Sequence, residues 1–480
     1  MEARSIGRVF PNTQSGMFKN VVCLKRCRLL RDQGGNVAIV FALMAVVLML
    51  AVGAAVDIGR WLHARDQTQS AADAAVLAGG RWLQTNSTDT AGAIAAAQNF
   101  YKQETVTRLP VVNDSISFGV SSDGQTVYAN GTAYIKTPFL GFVGINQLPI
   151  IPLGQQPVAQ ATLAVGGNGG QNLEVAMMLD ITGSMLDTSA SGNTKIADLI
   201  TSATDLVNII VWSDQSQYTS KVAIAPFTED IRLPNTTAIN AARGSGLPTS
   251  EKVSGTTYYL SDCVVERTGT QKYTDAAPAS GQYVMGHYTT SSTGSGKNKK
   301  GVCVVGSPVQ PLTSDKTTLL NAISNLQAGG GTAGHLGTAW AWYTLSPNWN
   351  SLWPSNGAAP YGSSNLQKIA ILMTDGDYNT QYSSAGISVN QSSTSSTYCP
   401  QAANGCSGAQ AASLCSAMKA AGITIYTVGF TIPSTDTTAI NLLTNCASAP
   451  NMFYSAADGT QLQQAFRDIA IKLSSLYISK

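Results

Sequence analysis

Apolar residues follow three different patterns in the first third of this 480-residue chain, and each pattern predicts a different element. The uncharged apolar run 37–56 is long enough to cross a hydrocarbon core about 30 Å thick, because a helix rises about 1.5 Å per residue. The alanine-rich stretch 57–105 predicts a helix, a short break near residues 85–88 and a second helix. Residues 106–170 alternate polar and apolar positions between Asn-Asp, Asp-Gly and Asn-Gly turns, which predicts a small antiparallel β domain. Its predicted strands are 115–122, 123–131, 132–139 and 159–165.

From residue 171 onward, short apolar runs rich in β-branched residues alternate with helical stretches. This alternation predicts an α/β domain over 171–480, with a doubly wound, mostly parallel sheet that binds ligands at the carboxyl edge of its strands. Two insertions, 229–311 and 378–403, are rich in Gly, Ser, Thr and Asn and are long for loops. The predicted strands are 173–179, 220–227, 368–374 and 423–430, and the predicted helices are 195–212, 317–326, 334–345, 409–420 and 458–476.

The charge distribution predicts how the apolar run is oriented. Residues 1–32 contain seven Lys or Arg against two acids, a net +5, which leaves −3 for the rest of a chain of net charge +2. Basic flanks stay in the cytoplasm, so the segment 1–36 is expected there, with 37–56 crossing a membrane once and the remainder facing outward. A cleaved signal peptide is the alternative, although the run exceeds a usual signal core and lacks a convincing cleavage site. The nearly neutral remainder suggests no nucleic-acid partner.

Cysteine usage agrees with that orientation. Two cysteines precede the apolar run and six follow it, an even number that suits an oxidising compartment. Six cysteines allow 15 connectivities. One of these joins Cys263 to Cys303 within the first insertion and Cys415 to Cys446 across successive helices, which leaves the other two to form a small loop. A metal cluster competes with disulfides, but no CxxC motif or neighbouring His supports it. The six are Cys263, Cys303, Cys399, Cys406, Cys415 and Cys446.

Oxygen-bearing side chains gather in three loops of the predicted α/β domain. Asp180, Thr182 and Ser184 alternate directly after its first strand, so their oxygens can converge above the sheet edge. Thr332 ends a Gly-Gly-Gly-Thr turn between two predicted helices, and Asp375 ends another buried strand. Carboxylates and hydroxyls suit a hard divalent cation such as Mg²⁺. The simpler interpretation is that these side chains cap helices, which does not explain three loops at once.

The order of these loops resembles the metal-ion-dependent adhesion site of von Willebrand factor A domains. In that family the first Asp, both hydroxyls, the Thr and the Asp of T-D-G gather around one cation, and one coordination position stays free for a partner's carboxylate. The resemblance implies that Asp180, Thr182, Ser184, Thr332 and Asp375 hold Mg²⁺, or Mn²⁺ or Ca²⁺. It also implies a protein partner that supplies an Asp or Glu. Thr182 stands where the family most often has Ser, and it retains the hydroxyl.

The amino-terminal third resembles a second family. Segments 34–42, 56–60 and 69–79 are similar to the amino-terminal region of TadE/TadG-type proteins of tight-adherence, or Flp-type, pilus systems. This resemblance implies a pilus-assembly protein of the bacterial cell envelope, with a membrane-rooted helical stalk and a pilin-like β head. Pilins of this superfamily are cut after Gly and carry Glu five residues later. Here Val40 stands five residues after Gly35, which departs from that pattern and leaves a minor filament subunit as an alternative.

Enzymatic chemistry finds little support in the sequence. Three histidines make nucleophile–base pairs scarce, and no Walker, dinucleotide-binding or zinc motif occurs. His335 follows Thr332 by three residues and is expected to pack or hydrogen bond at a helix start. Asp377 is expected to support the ion from outside its direct ligands. We therefore predict a metal-dependent binding protein of Tad-type pilus assembly or surface attachment and not an enzyme. The alternatives are an envelope hydrolase and a scaffold whose ion site is inactive.

Overall fold

The computed structural model describes most of the chain after the basic segment. The predicted segment 1–36 lies outside the described residues except for Asn36, and so does 391–398 of the second insertion. Two units divide the chain: one holds the described residues of 1–68, 107–115 and 132–154, and the other holds 69–106, 116–131 and 155–480. The described residues are 36–86, 89–122, 124–151, 156–167, 171–212, 215–216, 218–390 and 399–478.

Two helices occupy the alanine-rich region. The first, α1 (Asn36–Thr85), runs for 50 residues, and the second is α2 (Thr90–Glu104). The predicted break lies between them, where the Asp89 side chain accepts a hydrogen bond from the Gly92 N–H and so caps α2. Within the described residues, one helix (Val37–Gln84) is long and apolar enough to cross a membrane. Its apolar residues 37–56 are largely exposed, and this helix fits a single-pass membrane anchor.

The predicted β head forms two sheets. Strand β3 pairs with β4, antiparallel, in the first unit, whereas β1, β2 and β5 pair antiparallel in the second unit. The strands of this region are thus antiparallel, as the sequence predicts, but they belong to separate sheets. The Asn130-Gly131 turn makes no tight hairpin, because the Gln156 side chain binds both the N–H and the carbonyl of Gly131. The strands are β1 (Ser117–Val120), β2 (Thr126–Asn130), β3 (Tyr134–Lys136), β4 (Gln147–Pro149) and β5 (Ala159–Gly167).

The remaining elements follow in chain order: β6 (Asn172–Asp180), α3 (Lys195–Ile210), β7 (Ser220–Phe227), β8 (Ile231–Arg232), α4 (Thr236–Arg243), β9 (Ser250–Val253), β10 (Thr256–Arg267), β11 (Val284–Thr289), β12 (Ser292–Thr293), β13 (Lys300–Gly301), β14 (Gln310–Thr313), α5 (Lys316–Ser324), α6 (Gly334–Leu345), β15 (Leu366–Thr374), β16 (Thr380–Tyr382), β17 (Ser388–Asn390), α7 (Ser407–Ala420), β18 (Thr424–Phe430), α8 (Thr437–Cys446), β19 (Phe453–Ala456), α9 (Gly459–Leu473) and β20 (Ser474–Ile478).

A six-stranded sheet in the order β14-β7-β6-β15-β18-β19 forms the centre of the α/β domain. Five of its strands are parallel and the edge strand β14 is antiparallel, so the predicted doubly wound fold is confirmed. Side chains of β6 alternate between two apolar layers: Met178 packs in the layer of α6 and α7, and Met177 packs in the layer of α3 and α9. The register aligns Asp180 with Phe227 and Leu179 with Met373. Hence β6, β7 and β15 end at one edge.

The last described strand returns to the amino-terminal sheet. The predicted helix 458–476 ends at Leu473, and β20 continues directly from it. This strand pairs antiparallel with β5, with Ile478 opposite Ala161, in a sheet of order β1-β2-β5-β20. Residues on both sides of the predicted boundary at 170/171 therefore share one sheet.

The first insertion is a folded layer rather than a loop. Strands β11, β10 and β8 form an antiparallel sheet joined by β9, and α4 packs on it. Asp275 anchors this layer to the domain, since its carboxylate accepts hydrogen bonds from Ser346 Oγ at 2.5 Å and from Tyr361 Oη at 2.7 Å. The second insertion forms the hairpin β16–β17 in its described part. Three disulfides are present: Cys263–Cys303, Cys399–Cys406 and Cys415–Cys446.

Candidate metal centre

Asp180 lies at the carboxyl end of β6 and is fully buried. One carboxylate oxygen, Oδ1, accepts a hydrogen bond from the Thr182 N–H at 2.9 Å. The other, Oδ2, accepts one from Thr374 Oγ1, at the end of β15, at 2.7 Å. The parallel register of β6 and β15 brings these groups together, so the first acid of the predicted set is held by both central strands.

Ser184 links the first loop to the T-D-G loop. Its hydroxyl lies 3.2 Å from Thr182 Oγ1 and donates to Asp375 Oδ1 at 2.7 Å. Lys195, at the start of α3, donates from Nζ to Asp375 Oδ2 at 3.0 Å, and this pair is almost buried. Four of the five predicted ligand residues are thus connected by direct hydrogen bonds.

Thr332 comes to the same edge through its loop. The Gly183 N–H donates to the Gly330 carbonyl, and the Gly329 N–H donates to the Ile181 carbonyl, both at 2.9 Å. A Cβ atom at Gly183 would lie 3.2 Å from that Gly330 oxygen, so the glycine permits the close approach of the two loops. The Thr332 N–H donates to Asn379 Oδ1 at 2.9 Å. Backbone hydrogen bonds between the two loops therefore hold the Thr332 loop beside the first loop.

Both insertions support the Thr332 loop. Asn379, the second residue of the second insertion, accepts the Thr332 N–H with its side chain, and its own N–H donates to the Thr332 carbonyl. From the first insertion, Val304 lies against Gly330, which has a φ of +81°. Val304 follows Cys303 directly, so the Cys263–Cys303 disulfide restrains the chain next to this contact. The insertions thus frame one side of the candidate site.

Burial makes this arrangement electrostatically unfavourable without a cation. The pKa of Asp180 is raised from 3.8 to about 7, first because the carboxyl is buried and second because the Asp375 carboxylate is close. Hydrogen bonds from Thr182 and Thr374 oppose the rise. Burial, and then Asp436, raise the pKa of Asp377 to about 6, and Asp377 Oδ2 is buried without a hydrogen-bond partner. A divalent cation would favour the charged form of such carboxylates.

The donor set fits a hard divalent cation. Asp180 and Asp375 supply carboxylates, Thr182 and Ser184 supply hydroxyls, and Thr332, another hydroxyl residue, lies in the loop bonded to the first loop. These are the oxygen ligands that Mg²⁺, Mn²⁺ and Ca²⁺ prefer. In this structure the positive partner of Asp375 is Lys195. A bound cation would either add to this ion pair or take the place of Lys195.

Sequence reasoning missed three residues of this site. Thr374 precedes Asp375 directly and is recognisable once T-D-G is treated as a unit. Lys195 begins a helix in another segment, and no local pattern connects it with Asp375. Asn379 lies in an insertion that was expected to be a loop. The last two contacts depend on tertiary structure.

The contacts of His335 are with residues other than the candidate ligands. The side chain is buried on α6, and its Nε2 lies 2.7 Å from Glu266 Oε2 of the first insertion. Its ring also lies near the Tyr382 ring, with 6.1 Å between centroids. A second buried pair, His287 Nδ1 and Asp230 Oδ2 at 2.9 Å, also lies near Tyr382, with 6.2 Å between the His287 and Tyr382 ring centroids. His335 therefore joins the first insertion to the domain, as expected for a packing and hydrogen-bonding residue.

Comparison with known families separates the chain into two parts. Residues 35–82 match the Flp pilus-assembly TadE/G-like family, and residues 307–468 match the von Willebrand factor type A domain. The chain therefore carries a Tad-like match in its amino-terminal region and a von Willebrand factor type A match in its α/β domain. The matched range begins within the last residues of the first insertion, so it includes Thr332 and Asp375 but not the first loop. No match was found among curated protein sequences.

Several solved structures are similar to parts of the chain. The pilus adhesin RrgA from Streptococcus pneumoniae is 11% identical, with a TM-score of 0.40. The match covers 77% of this chain and 50% of the adhesin chain. The vWF domain of the type V pili tip protein Mfa5 from Porphyromonas gingivalis is 14% identical, with a TM-score of 0.35, covering 62% and 94%. Proximal thread matrix protein 1 from the mussel byssus, with a zinc-occupied MIDAS motif, is 12% identical, with a TM-score of 0.29, covering 65% and 48%. The chain thus spans about half the length of the first and third of these.

Proposed function

We propose that this chain is a membrane-anchored, periplasm-facing protein that binds a partner through a divalent cation during Tad/Flp pilus assembly or surface adhesion. The cation is Mg²⁺, or Mn²⁺ or Ca²⁺, and the partner supplies an Asp or Glu carboxylate. The proposed organisation is a cytoplasmic segment 1–36, an inner-membrane helix 37–56, a helical stalk 57–105, a β-rich region 106–170 and a von Willebrand factor A domain 171–480.

One observation carries the proposal: the carboxylates and hydroxyls of the first loop and the T-D-G loop meet at one sheet edge. Ser184 Oγ lies 2.7 Å from Asp375 Oδ1, and Asp180 is bonded to both loops. The Thr332 loop is bonded to the first loop at Gly183. Buried acids at this spacing favour a cation, because the cation offsets both their desolvation and their mutual repulsion.

The family matches support the rest of the proposal. The Tad-like match covers 35–82 and so includes the apolar helix, which supports anchoring and a place in pilus assembly. The seven Lys and Arg of residues 1–32, which precede the apolar helix, support the outward orientation of the domain. Disulfides in the domain support an oxidising compartment.

Substitution of the Thr332 hydroxyl and of the Asp375 carboxylate tests the function in cells. Thr332→Ala and Asp375→Ala are expected to impair pilus formation and adherence without lowering the amount of protein, since weakened support of a metal commonly lowers affinity about 10–100-fold. Thr332→Ser is the matched control, because it keeps the hydroxyl and should retain function. Pili are counted by electron microscopy, and protein amount is measured by immunoblotting.

His335→Ala separates binding from catalysis in the same assay. A binding protein is expected to lose less from this change than from Thr332→Ala, because His335 contacts Glu266 and not the candidate ligands. An enzyme would show the opposite ranking. Normal pili in all the variants would leave a scaffold whose ion site is inactive.

A further inference from the structure

A short segment beside the apolar helix presents apolar side chains to its surroundings. Residues 139–145 contain the 3₁₀ helix Leu140–Val143, and the side chains of Phe142 and Val143 are 81% and 60% exposed. Phe139 and Ile145 are also exposed. No charged residue occurs between Lys136 and Glu174. Aromatic and aliphatic side chains at such exposure, in a segment without a charged residue of its own, form a patch that a soluble surface seldom carries.

The segment is fixed to the helix at the end of its apolar run. Asp57, the first charged residue after 37–56, is buried, and its Oδ2 accepts hydrogen bonds from the Phe139 and Leu140 N–H groups, both at 2.8 Å. A Cβ atom at Gly53 would lie 2.7 Å from the Phe139 ring, so the ring packs directly against the helix backbone. The exposed patch is thus held beside the last turns of the candidate membrane span.

At least six of the seven N–H groups of residues 139–145 are bonded within the protein. Lipid offers no hydrogen-bond partner, so a non-helical segment enters it only when its N–H and C=O groups are bonded internally. The Thr137 hydroxyl also donates to the Ile145 carbonyl at 2.5 Å. The N–H donors and their acceptors are Phe139 and Leu140 to Asp57, Gly141 to Thr137, Phe142 to Phe139, Gly144 to Gly141 and Ile145 to Leu140.

The surroundings of the patch resemble a membrane boundary. An apolar groove of about 660 Å³ lies between Phe139, Phe142 and the helix residues from Val46 to Val56. One turn beyond Asp57, the Trp61 indole N–H donates to the Pro149 carbonyl at 2.8 Å. Arg65 lies over the Trp61 ring, 5.7 Å from its centroid. Trp with nearby cationic side chains is typical of the interface between lipid and water.

We propose that residues 139–145 are embedded in the lipid bilayer beside the membrane helix, where they fix its depth and cover the Asp57 carboxylate. The occupant of the groove is a lipid acyl chain, because the groove is continuous with the exposed apolar face of 37–56. This inference rests on the proposed membrane anchor. A second copy of the helix packed in the groove is the outcome that competes with it.

Spin labels in the full-length protein test the proposal in phospholipid vesicles. The background carries Cys23→Ser and Cys27→Ser, since the six other cysteines are paired in disulfides. Labels are placed by Phe142→Cys in the segment, Val46→Cys in the helix and Lys136→Cys as an exposed polar control in the same unit. Collision with oxygen, which concentrates in lipid, is compared with collision with a water-soluble nickel chelate.

The label at 142 is expected to prefer oxygen over the chelate severalfold, as the label at 46 does, while the label at 136 prefers the chelate. Chelate access at 142 equal to that at 136, with 46 in lipid, would overturn the embedded segment and leave the anchor intact. Chelate access at both 46 and 142 would overturn the anchor as well. A label at 142 that is immobile and shielded from both reagents would show protein packing in the groove, which also contradicts the proposal.

Discussion

At the scale of single residues, Asp180 bears most of the electrostatic cost of placing two carboxylates at one sheet edge. Its pKa rises to about 7, so the folded protein without a cation binds a proton at Asp180 more tightly than the unfolded chain does. The proton on Asp180 therefore stabilises the folded protein. This stabilisation is complete below about pH 4 and is lost as the pH rises through about 7. A bound cation restores that stability, because it favours the charged carboxylate.

The stabilisation by Mn²⁺ or Mg²⁺ is expected to depend on pH. At about pH 5.5 the cation must displace a proton from Asp180, which weakens binding roughly 30-fold relative to about pH 8, given a pKa of about 7. Melting temperatures with and without the metal, measured at both pH values, check this expectation. Asp180→Asn is the control and should show no metal-dependent gain at either pH. An equal gain at both pH values would show that Asp180 is not a ligand.

Asp180→Asn should also leave the metal-free protein at least as stable as the wild type at about pH 8. A rise of the pKa from 3.8 to about 7 corresponds to roughly 4 kcal/mol against the charged form. Loss of the carboxylate acceptor for Thr374 Oγ1 costs about 1–3 kcal/mol, which is the smaller effect. Thermal unfolding in the presence of a chelator measures the balance, and a clearly lower melting temperature for Asp180→Asn would contradict it.

At the scale of elements, local pattern predicted those strands and helices whose partners are set by the central sheet. Strand β7 has the predicted bounds 220–227, and α6 has the predicted bounds 334–345. The pairing of β20 with β5 and of β3 with β4 was not predictable, because nothing in a short apolar run specifies a partner about 300 residues away or in a second sheet. The candidate ligand residues were proposed from the loops at one sheet edge, whereas Lys195 and Asn379 reach them only through tertiary packing.

The disulfide Cys263–Cys303 is expected to support the candidate metal centre. It closes a 40-residue separation, for which the chain-entropy relation gives about 4 kcal/mol, and it places Val304 against Gly330 of the Thr332 loop. The double substitution Cys263→Ala/Cys303→Ala should lower both the melting temperature and the affinity for Mn²⁺. The control is Cys399→Ala/Cys406→Ala, whose 7-residue separation corresponds to about 2 kcal/mol. A larger loss of affinity in the control would contradict the proposed role of Val304.

At the scale of the whole molecule, the proposed membrane helix and periplasmic domain place the chain in two compartments. A reporter fused after Lys480 should be active only in the periplasm, and the full-length protein should fractionate with the inner membrane. A soluble product that begins near Asp57 would support a cleaved signal peptide instead. A product that begins at Asn36 would show cleavage after Gly35 despite Val40 and would favour a filament subunit.

Direct counting of bound metal tests the central claim. The full-length protein, solubilised with its disulfides intact, is titrated with Mn²⁺, and free Mn²⁺ is followed by electron paramagnetic resonance. One Mn²⁺ per chain is expected in the wild type, displaced by excess Mg²⁺ and lost in Asp180→Ala and Asp375→Ala, with the circular dichroism of a folded protein retained. Binding of the same Mn²⁺ by the wild type and both variants, or no binding by any of them at millimolar concentration, would contradict a cation site at this edge of the sheet.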